Sequence, residues 1–148
     1  MPKGVTRWYR RDPLAALTLL ARASMGSAHN PGRQVVVRER FDRLRDGRGE
    51  VDDFDRVCTA LNVATVRAIE IGDAGLKQTL SEGHKALGEC RRRYTEHGVF
   101  GFSGTEIVAM LDAISTYEAI EEASSDLQME RAWNTSKRSL TLQRKGNT

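Results

Sequence analysis

The stretch VDDFDRVCTALNVATVRAIEIG, residues 51–72, decides how this chain folds, because it reads in two ways. In one, Leu61-Asn62-Val63 resembles the turn of a helix-turn-helix and Thr65-Val66 the start of a recognition helix. In the other, Phe54, Val57, Cys58, Leu61, Ala64, Thr65, Ala68 and Ile71 form a single apolar stripe at helical spacing. The spacing selects the second. Only Ala64 separates the valine from the Thr-Val pair, and no glycine is present to permit the bend such a motif needs. Residues 51–71 are therefore expected as one core helix, its acidic first turn matching the positive end of the helix dipole.

Working outward, the DGRG turn at 46–49 precedes this helix, and before it residues 34–45 place Val37, Phe41 and Leu44 on one stripe with alternating arginine and acid outside. Gly26, Asn30, Pro31 and Gly32 read as a loop. The first expected helix starts with Asp12 as N-cap and Pro13 at its first position, and Leu14, Leu17, Leu20 and Ala21 form its apolar face. Downstream, residues 73–97 carry Leu76, Leu80, Gly83, Leu87, Cys90 and Tyr94 at alternating steps of four and three. That is a bundle seam with a close-approach glycine, ended by Gly98. FSGTEI at 102–107 gives the clearest local signal: Ser103 and Glu106 form a capping box, with Phe102 and Ile107 as the hydrophobic staple. A fifth helix then runs from Gly104 without a breaker to the region of Asn134. It would span about 45 Å against about 37 Å for the fourth. Met129 and Trp133 are expected on an overhang, available to another chain.

The fold expected is all-α, a single-domain bundle of about five helices over 12–134. A chain of 148 residues with 39% hydrophobic and 29% charged residues is of a size and composition to bury such a core. Charge divides the chain differently. The arm 1–11 and the tail 135–148 each hold four basic residues and no acid, leaving 15 basic against 20 acidic residues between them. The net charge of +3 thus hides termini at +8 and a middle at −5, and both basic ends are expected to be flexible.

Few residues suggest chemistry. Asp42, Asp46, Gly47 and Asp53 imitate positions of a calcium loop, but Leu44 stands at a ligand position and Arg43, Arg45 and Arg48 oppose a cation. His29, His84 and His97 lack metal-ligand spacing. Cys90 and His97 lie two turns apart, yet a cysteine in a heptad seam reads as core. Cys58 and Cys90, far apart and without a CxxC pair, read as reduced thiols of a cytoplasmic protein. No apolar run approaches the ~20 residues of a membrane span. The reading is of a protein without catalytic residues, metal or other cofactor. RRRY at 91–94 reads as a solvated helix face, with Glu89 and Glu96 placed to pair with Arg92 or Arg93.

Two sets of residues remain as candidate sites. Arg7, Trp8, Arg10 and Arg11, with Lys137, Arg138, Arg144 and Lys145, are suited to phosphate contact and base stacking, hence to nonspecific DNA binding. Met129 and Trp133, and the acidic cluster Asp52, Asp53 and Asp55, are the candidate protein interface.

The order RWYRRDPL, FDRLRDGRGEVDDFDRVCTALNVA, a middle helix, and an aromatic-glycine turn before a last helix resembles a group of small α-helical accessory proteins. These are carried by proteobacterial plasmids, integrative elements and prophages, and some are labelled transcriptional regulators. The resemblance spans most of residues 7–133 and is strongest at Phe41, Leu44, Arg45, Gly47, Gly49, Asp53 and Asn62. In the last helix, Tyr117-Glu118 stands where the group often has a His-Asp-like pair. The resemblance implies a mobile-element accessory protein, with no reaction attached. The function expected is non-enzymatic protein–protein binding, such as inhibition of a host or defence protein. Its acidic surface would suit competition for a nucleic-acid-binding groove. The alternative is a DNA-associated transcriptional or replication regulator using the basic termini. A homodimer through the last helix is a third expectation.

Overall fold

A computed structural model describes residues 31–146, with side-chain environments for 33–138. The expected first helix, with Asp12, Pro13 and the Leu14 to Ala21 face, lies outside the described residues. Five helices follow: α1 (Pro31–Arg45), α2 (Val51–Ile71), α3 (Ala74–His97), α4 (Gly104–Ala123) and α5 (Asp126–Gly146). The described residues hold no strand and form an all-α arrangement. Pro31, expected in a loop, instead begins α1, where a proline's missing N–H costs nothing.

Residues 51–71 form one unbroken helix, which removes the helix-turn-helix reading. This helix is the hub of the fold, packing against each of the other four. Val57, Leu61, Ala64 and Ala68 are buried among Phe41 and Leu44 of α1, Leu76, Leu80 and Leu87 of α3, and Met110, Ile114 and Ile120 of α4. The seam between α3 and α4 closes at Gly83. A Cβ there would lie 2.5 Å from the Ala113 methyl and 3.2 Å from a Leu61 methyl, so the absent side chain sets how near the two helices come. Tyr94, expected in this seam, lies beyond its end and is half-exposed. Its ring stacks on Phe100 at 4.1 Å, and Phe54 stacks nearby at 5.4 Å. That aromatic stack pins the connection into α4.

Local capping explains where the helices start. Asp73 accepts hydrogen bonds from the backbone N–H groups of Gly75 and Leu76 and opens α3. Ser103 and Glu106 form the expected capping box at the head of α4, and Arg93 of α3 grips the same Glu106 carboxylate. Arg93 is thereby taken from the solvated face, while Arg92 pairs with both Glu89 and Glu96 as expected.

The long fifth helix is corrected. The chain leaves helical geometry at Ser124, and α5 begins two residues later. Another capping box makes the break. The Ser125 hydroxyl accepts from the Gln128 backbone N–H at 3.1 Å, and the Gln128 side chain accepts from the Ser125 N–H at 2.9 Å. The buried Arg67 of α2 donates to the Ser124 hydroxyl at 3.0 Å, tying the corner to the hub helix. Because of this corner α5 folds back along α2 rather than projecting beyond the bundle. It also continues past Asn134 to Gly146, carrying helix through most of 135–148.

Candidate functional site

A groove of about 920 Å³ opens where α1 and α5 both lie on α2. Arg33, Val36 and Val37 form the α1 wall, and Asp126, Met129, Glu130 and Trp133 the α5 wall. Between them lies a face of α2 with Asp55, Arg56, Thr59, Ala60 and Val63, and Tyr117 and Glu121 reach in from α4. The size falls within the range of ligand-binding clefts. Its chemistry is mixed: valine, alanine, methionine and tryptophan surfaces carry four carboxyl groups against two guanidinium groups.

The polar centre of the groove is the pair Tyr117 and Glu121, one helical turn apart on α4. The Tyr117 hydroxyl donates to Glu121 Oε2 at 2.5 Å. Burial, and then this bond to a carboxyl group, push the Tyr117 phenol far above its usual range, so it remains a protonated donor. Glu121 is only 2% exposed, and its second oxygen, Oε1, is buried without a hydrogen-bond partner. Buried carboxyl oxygens are normally satisfied, so this unmet acceptor is an exception among the described residues. Glu118, beside Tyr117 in sequence, turns elsewhere and accepts two hydrogen bonds from Arg38, at 2.6 and 2.7 Å. The Tyr117-Glu118 pair is thus split between two sites.

The expected interface residues are redistributed. Met129 is 6% exposed and packs with Val63 and Ala132, which corrects its placement on an overhang. Trp133, 40% exposed, does offer its ring, with the Lys137 ammonium 5.3 Å from the ring centre. Asp53 is corrected too. It is fully buried, accepts from the Glu50 backbone N–H at 2.8 Å and from Arg40 at 2.6 Å, and has Arg43 at 3.6 Å. Burial opposes its charge, but those donors overcome it and hold the carboxyl below its ordinary pKa. Asp53 is a cap and anchor, not a surface for a partner. Asp52 is exposed and shared between Arg40 and Arg56, and Asp55 is exposed at the groove's edge. Two of the three acids are thus neutralised by arginines, and within the calcium-like spacing Asp53 is spent on capping while Asp46 pairs with Arg48 at 2.9 Å.

Among the candidate DNA contacts, Lys137 and Arg138 are exposed on α5, and Arg144 and Lys145 lie on the same helix. Arg7, Trp8, Arg10 and Arg11 lie outside the described residues. Burial raises both thiols, Cys58 up to about 11, which makes them poor nucleophiles. His84 hydrogen-bonds with Thr65 at 3.2 Å, and burial lowers its pKa. Among the described residues no group of three histidine, cysteine or acidic side chains is placed to hold a metal ion. No described helix is long and apolar enough to cross a membrane.

Sequence reasoning named Asp55, Met129 and Trp133, which do line the groove, and noted Tyr117, but it missed Glu121 and the α1 wall. A glutamate following an apolar stripe looks like any solvated helix position, and no local signal marks it as buried. Comparisons with protein-family models, with curated proteins and with solved structures returned no match.

Proposed function

We infer that this protein is a non-enzymatic binding module that accepts an α-helical segment of another protein in the groove between α1 and α5. The observation carrying the reading is the groove itself: apolar walls wide enough for side chains and one half-exposed tryptophan at the rim. Interface anchors are enriched in tryptophan and sit beside desolvated polar pairs, which is the arrangement here. An amphipathic helix laid into such a groove uses side chains at i, i+3, i+4 and i+7. The excess of acid over base in the lining favours a basic helix. An accessory protein of a mobile element, acting on a host or defence protein, is the setting that the sequence resemblance supplies for such an activity.

The test is photo-crosslinking in cells from Val36 or Trp133 in the groove and from Gln78 or Lys85 on the exposed face of α3. The reading expects a distinct protein captured from the groove positions alone, and lost when Thr59→Arg fills the groove. Equal capture from both faces, or capture unaffected by Thr59→Arg, would sink it.

A second reading has its own observation. The basic C-terminal segment is helical and displays Lys137 and Arg138 to solvent, which suits phosphate contact. Duplex DNA binding that weakens steeply with salt and disappears in a Lys137→Glu, Arg138→Glu variant would favour a DNA-associated regulator. No binding at low salt would dismiss it.

A further inference from the structure

We propose that the groove selects its helix by charge: two basic side chains one helical turn apart on the partner are received by Asp126 and Glu130 of α5. The proposal rests on reading the groove as a helix-accepting site, and adds which residues choose among helices and fix how the chosen one lies.

Three observations converge on these two acids. The first is that their charge is unanswered. Asp126 and Glu130 are exposed, and neither side chain makes a hydrogen bond or an ion pair with another described residue. Of the other two acids in the lining, Glu121 is buried and bonded to Tyr117, and Asp55 stands apart on α2. The second is where the bases are. The two arginines of the lining, Arg33 and Arg56, stand on α1 and α2, and Arg56 already has Asp52 at 3.8 Å. The α5 wall contributes no base to the lining and is its acidic side. The third is spacing. Asp126, Met129, Glu130 and Trp133 stand at i, i+3, i+4 and i+7, a single face of α5. Asp126 and Glu130 are therefore separated by about 6 Å along the axis, the same step that separates two residues four apart on a helix laid beside them.

The same wall changes sign along its length. Beyond Glu130 comes Trp133, with the Lys137 ammonium 5.3 Å from its ring centre. A cation is thus drawn to the start of α5 and repelled from the Trp133 end, which receives an apolar side chain instead. Val36 on the opposite wall is 41% exposed and Trp133 40% exposed, so each wall offers one apolar anchor to the stripe of the docked helix. An ion pair in open water contributes little. Once a helix closes over the groove, water is thinned around the acids and the pairs strengthen. Apolar contact then supplies the affinity, while the two acids decide which helices bind and which end of the helix lies at the start of α5.

Fluorescence titration of the full-length chain carrying Trp8→Phe, which leaves Trp133 as its one tryptophan, tests this. Two synthetic helical peptides share a leucine stripe at i, i+4 and i+7 and differ at two flanking positions four apart, where one has arginine and the other glutamine. The arginine peptide is expected to shift Trp133 emission and to bind about tenfold more tightly, a preference that fades as salt is added. Asp126→Asn with Glu130→Gln should erase the preference and leave the glutamine peptide within about twofold of its original affinity. The reversed pair, Asp126→Lys with Glu130→Lys, should favour a third peptide with glutamate at the two positions, a gain that misfolding cannot produce. Equal binding of the arginine and glutamine peptides, or a preference that survives the neutral pair, overturns the inference; loss of both peptides in Thr59→Arg would in that case still mark the groove as a helix site. No response of Trp133 to either peptide, or a response that Thr59→Arg leaves intact, overturns the groove reading itself and the inference with it.

Discussion

Gly83 and Gly88 lie on the same helix, five residues apart, and the structure assigns alanine opposite effects at the two positions. A glycine inside a helix costs about 1 kcal/mol relative to alanine, so Gly→Ala starts with that gain at either site. At Gly88 a Cβ meets nothing within 4 Å, and the gain stands, giving a variant about 1 kcal/mol more stable. At Gly83 the same Cβ lies 2.5 Å from the Ala113 methyl and 3.2 Å from Leu61. The Ala113 methyl has no rotamer to retreat into, so α3 and α4 must separate. Overpacking of this kind costs about 1–3 kcal/mol, and a contact this short belongs in the upper part of that range. The net expectation for Gly83→Ala is a loss of about 1–2 kcal/mol, and the two variants should differ by about 2–3 kcal/mol. Urea denaturation at constant m-value measures it directly. Thermal melts should separate the pair by roughly 4–12 °C for a chain of this size. Gly83→Ala at or above wild-type stability would refute the close approach of α3 and α4, and with it the packing of the seam.

Three further outcomes follow from the same structure. Ser125→Ala removes one half of the capping box at the α4–α5 corner and should cost about 1 kcal/mol, read by urea denaturation; no loss would mean that Arg67 and Ser124 hold the corner unaided. Asp53 and Glu106 both have carboxyl pKa values lowered in the fold, Asp53 by the Glu50 N–H and Arg40 against the opposing effect of burial, and Glu106 chiefly by Arg93. A lowered folded pKa gives stability that is complete above the unfolded value near 4 and lost as pH falls through the folded one, so denaturation midpoints should drop from about pH 5 downward. Asp53→Asn should flatten that drop, and an unchanged pH profile would contradict the capping role. Finally, Cys58, with its thiol pushed up to about 11, should be alkylated at pH 8 at least about a hundredfold more slowly in the folded protein than after denaturation; comparable rates would contradict its partial burial.

The parts of this fold that are legible in the chain are those written within four or five residues. Ser103 and Glu106, Asp73, Gly98 and the stripe from Phe54 to Ile71 each declare themselves through neighbours on the same helix, where spacing alone settles which groups meet. The corner at Ser124 is legible as well, since SDLQ at 125–128 is a Ser-x-x-Gln capping box. The apolar period running through Ile120 and Met129 masks it. Once that corner is missed, α5 becomes an overhang and Met129 a surface residue, so one local signal decides where a whole helix lies.

Other features have no local signature. Asp53 looks like an acid placed for a helix dipole. Its burial depends on Arg40 and Arg43, ten or more residues upstream, being brought over it by the α1–α2 turn. Glu121 looks like an exposed glutamate until α4 lies beside the groove and Tyr117 turns its hydroxyl onto it. Helix identity, caps and the all-α class follow from short-range spacing, because hydrogen bonds and apolar stripes of a helix close within a few residues. Which charges are buried, which are paired, and where a groove opens depend on how helices distant in sequence approach one another. That approach is set by side-chain volume at contacts such as Gly83 with Ala113, a quantity that belongs to pairs of elements and has no image in either one alone.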